Sequence, residues 1–77
     1  MANEIIKRAD DFFVNDKFTE AKDLFLQVIN DHGKDKNPIV NMNLAICYSE
    51  LKEYPTACQY FEKASELLGQ KNQDLLQ

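Results

Sequence analysis

The sequence predicts an all-α protein built as two tandem antiparallel helical hairpins, and three observations lead there. Apolar residues recur at i, i+3, i+4 and i+7 through four successive segments, the period of a helix face. Short polar or Pro- and Gly-bearing breaks separate those segments, and short connections make successive helices antiparallel neighbours. Finally, DKFTEAKDLF at residues 16 to 25 returns 36 positions later as KEYPTACQYF at residues 52 to 61. Both stretches read charged, charged, aromatic, two variable residues, alanine, three variable residues, phenylalanine. No strand-like alternation competes in any long segment.

The first helix carries Ile5, Arg8, Ala9 and Phe12 on one face, with Ile6 and Phe13 as a second strip beside it. It stops at Asn15-Asp16-Lys17, polar residues suited to a turn. The second carries Phe18, Ala21, Leu24, Phe25, Val28 and Ile29, and ends at Asn30-Asp31-His32-Gly33, where glycine suits the left-handed C-terminal position. Asn37-Pro38 starts the third, with proline in its first turn. That helix bears Ile39, Met42, Leu44, Ala45, Ile46, Tyr48 and Leu51, and Lys52-Glu53 closes it. Pro55 marks the next boundary, because proline would break a helix interior. A fourth helix then carries Ala57, Cys58, Tyr60, Phe61, Ala64, Leu67 and Leu68. Two readings of the tail stay open. Gly69 ends the helix and Leu75-Leu76 begins a capping helix, or the helix runs on through a glycine at a cost of about 1 kcal/mol.

A chain of 77 residues makes one domain, here residues 1–77, and buries only about 60% of its unfolded surface. The composition, 44% hydrophobic and 29% charged with two Gly and two Pro, fits a soluble helical protein rather than a disordered one. A net charge of -4 with scattered basic residues argues against nucleic acid, whose phosphates need clustered Lys and Arg. No apolar run nears the roughly 20 residues of a transmembrane helix, and no signal-peptide core precedes the first charges. The expectation is a cytoplasmic protein with no membrane partner.

No chemistry is written into the pattern. His32, the single histidine, falls in a helix-ending segment with no nucleophile and helper beside it. Asp10-Asp11 are adjacent on a helix and point to different faces, which rules out a metal clip. Cys47 and Cys58 lack metal-ligand spacing and are expected as buried free thiols. Two glycines cannot form a phosphate-cradling loop. The reading is non-catalytic, with no cofactor and no metal.

The joint spacing of small and large residues resembles the tetratricopeptide repeat family. In the second unit Leu44-Ala45, Tyr48, Tyr54, Ala57, Phe61 and Ala64 stand where that family has its signature residues. The first unit matches through Ile5, Ala9, Phe12, Phe18, Ala21 and Phe25, and departs at Arg8 (usually Leu) and Val28 (usually Ala). The resemblance sets repeat 1 at about 2–34, repeat 2 at about 37–70 and a tail at 71–77. The loop around Asp35 and Lys36 absorbs an offset two residues longer than the family norm. The alanines let helix backbones approach, while Phe12, Phe25, Tyr48 and Phe61 fill the gaps between hairpins. The end at Leu75-Leu76-Gln77 suits a fragment of a longer array.

The resemblance implies a concave, partner-binding surface lined by the first helix of each hairpin. Its lining positions map to Ile6, Asp10 and Phe13, and to Ile39, Met42, Asn43 and Ile46. Apart from Asp10 and Asn43 this surface is apolar, as contact sites are. One subgroup of the family grips a chaperone's C-terminal carboxylate with Lys and Asn side chains. Here only Asn43 matches; Ile6 replaces the Lys and Asp10 an Asn, and an Asp repels a carboxylate. The implied function is a protein–protein interaction module, adaptor or chaperone-like, for a protein or peptide. The alternative is a structural module that self-associates into a homodimer or higher oligomer, through the same surface or the Leu75-Leu76 end.

Overall fold

Alanine at the helix crossings and aromatic residues between them assemble four helices into two tandem hairpins, an all-α fold. The computed structural model describes residues 2–33 and 37–76, with side chains over 3–33 and 37–69. Helices α1 (Ala2–Val14) and α2 (Phe18–His32) form the first hairpin, and α3 (Pro38–Glu50) and α4 (Tyr54–Leu76) the second. Contacts run in chain order: α1 on α2, α2 on α3, α3 on α4. The central core comprises Ala9, Ala21, Phe25, Val40, Leu44 and Cys47, drawn from α1, α2 and α3. Ala45, Ala57 and Ala64 are buried between α3 and α4, where a methyl side chain keeps the helix axes close.

The repeated turns share one backbone geometry. At the end of α1, Lys17 N–H donates to the Phe12 carbonyl at 2.9 Å and Asp16 N–H to Phe13 at 3.1 Å. At the end of α3, Glu53 N–H donates to Tyr48 at 2.8 Å and Lys52 N–H to Ser49 at 3.0 Å. These pairs are the two bonds of a Schellman ending, which needs its hinge residue in the left-handed region. Asp16 and Lys52 fill that place with φ 63° and 66°, and both carry a Cβ that glycine would not. Gly33 takes the same region after α2, at φ 64°.

Helix α3 begins as the sequence predicts. Asn37 is its N-cap, its Oδ1 accepting from Ile39 N–H at 2.9 Å and Val40 N–H at 3.2 Å, with Pro38 at the start of the helix. The buried Asn41 donates from Nδ2 to the Asn37 carbonyl at 2.8 Å, which ties the cap to the helix interior. Val40, Asn41 and Cys47 are buried although no single amphipathic stripe marks them. The reason is position: α3 packs between α2 and α4, so it must offer apolar or small residues around most of its circumference.

Three expectations need correction. Phe61 does not fill a gap between hairpins; it is 41% exposed, while its repeat counterpart Phe25 is fully buried. The physical reason is that α3 covers α2 on that side, whereas no described element covers α4. For the same reason Tyr54 is 57% exposed rather than packed, and Cys58 is exposed while Cys47 is buried. Of the two readings of the tail, the continuous helix holds: α4 runs through Gly69 to Leu76. The stretch around Asp35 and Lys36, expected to absorb the longer offset, lies outside the described residues, as do the side chains of Leu75 and Leu76.

Candidate functional site

The seven residues expected to line a binding surface fall on corresponding faces of α1 and α3. Ile6 and Met42 are repeat counterparts 36 positions apart, as are Asp10 and Ile46. On α3, Ile39, Met42, Asn43 and Ile46 share one side of the helix at spacings of three, four and seven. Their surroundings differ. Ile39 is 60% exposed, whereas Met42, Asn43 and Ile46 are half-buried. A large aliphatic residue beside half-covered apolar neighbours makes a shallow apolar face rather than a deep slot.

On α1 the face serves the core as well as the surface. Ile6 and Phe13 are half-buried and pack against the central cluster. The Phe13 ring meets Phe18 edge-on, with centroids 5.8 Å apart at 84°, and Phe25 at 6.5 Å and 78°. Edge-to-face pairs of this kind hold α1 on α2. Asp10 is the charged member of the face. Partial burial, followed by the neighbouring Asp11 carboxylate, raises its carboxyl above the ordinary range. Its negative charge favours a cation opposite it and disfavours another carboxylate.

A second polar feature lies elsewhere on α1. An open depression of about 250 Å³ is lined by Arg8, Asp11, Phe12, Asn15 and Lys17. Asn15 Nδ2 donates to the Asp11 carbonyl at 2.7 Å across its floor. Its residues are counterparts of Leu44, Cys47, Tyr48, Leu51 and Glu53, on the side where α3 meets α2. Sequence reasoning set Arg8 on one face with Ile5, Ala9 and Phe12 and flagged it as a departure from the family pattern; its exposure explains that departure, since no described helix packs there.

Within the second hairpin Tyr48 and Tyr60 stack at 5.5 Å and 11°, and across the two hairpins the Lys22 ammonium lies 5.9 Å from the Tyr48 ring centroid. Burial, then the neighbouring Tyr60, raises the Tyr48 phenol above its usual value. Burial pushes the Cys47 thiol up to about 11, so it stays protonated near neutrality. His32, the final residue of α2, is exposed. Among the described residues no three His, Cys, Asp or Glu side chains converge as a metal set, and no helix is long and apolar enough to cross a membrane.

No family model, no curated protein and no solved structure matches the chain.

Proposed function

We propose that the chain is a tetratricopeptide-like, non-catalytic interaction module that holds a peptide or protein segment against the α1 and α3 faces. The observation that carries this reading is the α3 face, where Ile39 stands 60% exposed beside half-buried Met42 and Ile46. An aliphatic residue left open on a helix otherwise enclosed by its neighbours is what a docking surface requires. Met42 adds a side chain that repacks around varied partners. Asp10 selects among them. Its carboxylate disfavours a peptide's C-terminal carboxylate and favours a basic residue, so the segment is internal and apolar with a Lys or Arg near Asp10.

The role is an adaptor-like or chaperone-like one in the cytoplasm, without cofactor, nucleic acid or membrane. The test is selection of binding peptides from a displayed random library, followed by affinity measurement with Met42→Glu/Ile46→Glu. Apolar, base-containing peptides that lose at least ten-fold in affinity with a variant of unchanged helicity support the reading. Peptides that bind wild type and variant equally, or no selectable binder at all, refute it.

A further inference from the structure

Helix α4 carries an exposed seam that the first repeat explains. Tyr54, Cys58, Phe61, Ser65 and Leu68 are spaced 4, 3, 4 and 3 and lie along one side of the helix, the spacing of a coiled-coil contact line. All five are exposed, the three large ones at 57%, 41% and 37% in chain order. Shifted by the 36-residue repeat, this line becomes Phe18, Lys22, Phe25, Ile29 and His32 of α2. Phe25 is fully buried in the cluster that includes Val40, Leu44 and Cys47 of α3, Lys22 reaches Tyr48 of α3, Phe18 meets Phe13 of α1, and only His32 at the helix end is exposed. The fold therefore uses this line as a helix-packing surface once, covered, and presents it a second time uncovered.

What can cover it follows from the residues on offer. In the first repeat the covering surface is Val40, Leu44 and Cys47 of α3. The counterparts on α1 are Glu4, Arg8 and Asp11, all exposed. Head-to-tail stacking of copies would press these charges onto Phe61 and desolvate them. That disfavours α1 as the cover. From residue 58 to residue 68 the seam is self-complementary, because large residues at 61 and 68 alternate with small ones at 58 and 65. When two copies of α4 run antiparallel about a two-fold axis at the level of residue 63, Phe61 sits over Ser65 of the other copy. Leu68 then sits over Cys58, since both pairs sum to 126. A parallel, in-register pairing would instead set large on large and small on small, leaving voids at every second layer.

We propose that the chain forms a symmetric homodimer through antiparallel pairing of the α4 seam, on a surface separate from the α1 and α3 faces. The pairing is isologous and closes on itself, so it yields dimers and not filaments. It also leaves the proposed peptide-binding faces free.

Sedimentation or light scattering over a wide concentration range tests this. The wild type should pass from one to two times the chain mass of 8.9 kDa. Phe61→Glu and Leu68→Glu, at positions exposed in the single chain, should remain at one chain mass with unchanged helicity. Met42→Glu/Ile46→Glu should still dimerise. Glu62 of one copy lies about 3 Å along the axis from Glu62 of the other, from 1.5 Å per residue, so Glu62→Gln should tighten association about three-fold. The two Cys58 thiols are about 15 Å apart along the axis in this pairing, so mild oxidation should give no intermolecular disulfide. A wild type that stays at one chain mass throughout overturns the proposal. So does a dimer that survives Phe61→Glu and Leu68→Glu but is lost in Met42→Glu/Ile46→Glu. Efficient Cys58 crosslinking overturns the antiparallel arrangement.

Discussion

Phe25 and Phe61 make a matched pair in which sequence context is nearly held constant and burial is not. Each stands at the same place in its repeat, yet Phe25 is fully enclosed and Phe61 is 41% exposed. Substitution of a buried Phe by Ala typically loses about 3–5 kcal/mol, because both the transfer energy and a residual cavity count. At Phe61 only the covered part of a surface of about 150–250 Å² is lost, and the site opens to solvent with no cavity. At about 25 cal/mol per Å² that amounts to about 2–4 kcal/mol. The predicted gap between Phe25→Ala and Phe61→Ala is therefore about 1 kcal/mol. For a domain of this size that equals a difference in Tm of about 4–8 °C. Total stability is about 4–12 kcal/mol for this length, so both variants lose a sizeable share of it and Phe25→Ala loses the larger one. The assay is urea unfolding followed by circular dichroism, at concentrations where light scattering gives one chain mass for all three proteins. Equal losses at the two positions would refute the unequal coverage of α2 and α4.

Four further outcomes are expected. Asp16→Gly and Lys52→Gly should each stabilise by about 0.5–1 kcal/mol in the same unfolding assay, since glycine relieves a left-handed backbone that both residues now adopt. Gly69→Ala should stabilise by up to about 1 kcal/mol and raise helicity, because α4 continues through this position and an added Cβ meets no neighbour within 4 Å; a loss of helicity would argue for a helix end there. Native protein at pH 8, at concentrations where it is at one chain mass, should expose one thiol to a disulfide reagent, Cys58, and a second only in denaturant. Because burial raises the Cys47 thiol to about 11 from 9.0, its contribution to stability is complete below pH 9 and falls away as pH rises toward 11. That share of the alkaline loss should vanish in Cys47→Ala.

The hairpins were legible because each relies on spacing that appears twice. Ala9 and Ala45, Ala21 and Ala57, and the turns at Asp16 and Lys52 repeat in identity or in role, and local pattern suffices to find them. Burial was less legible, since it depends on which neighbour stands beside an element. Phe61, Tyr54 and Cys58 look like core residues by their repeat positions, yet α4 has an open side that α2 lacks. Val40 and Asn41 escaped notice for the converse reason: a helix packed on two sides shows no single apolar stripe. Of the expected binding face, Ile39 is open, while Ile6 and Phe13 also hold α1 onto α2, a double duty that spacing alone does not display. The continuation of α4 past Gly69 turns on a balance of about 1 kcal/mol, too fine for pattern reading.

The proposed interaction function is tested most directly by amide chemical-shift mapping of the chain during titration with a selected apolar, base-containing peptide. Shifts clustered on Ile39, Met42, Asn43 and Ile46, with Ile6 and Asp10 responding at the same midpoint, are the predicted result. Shifts confined to the outer side of α4 or to the depression around Arg8 and Lys17, with the α3 face silent, would contradict it.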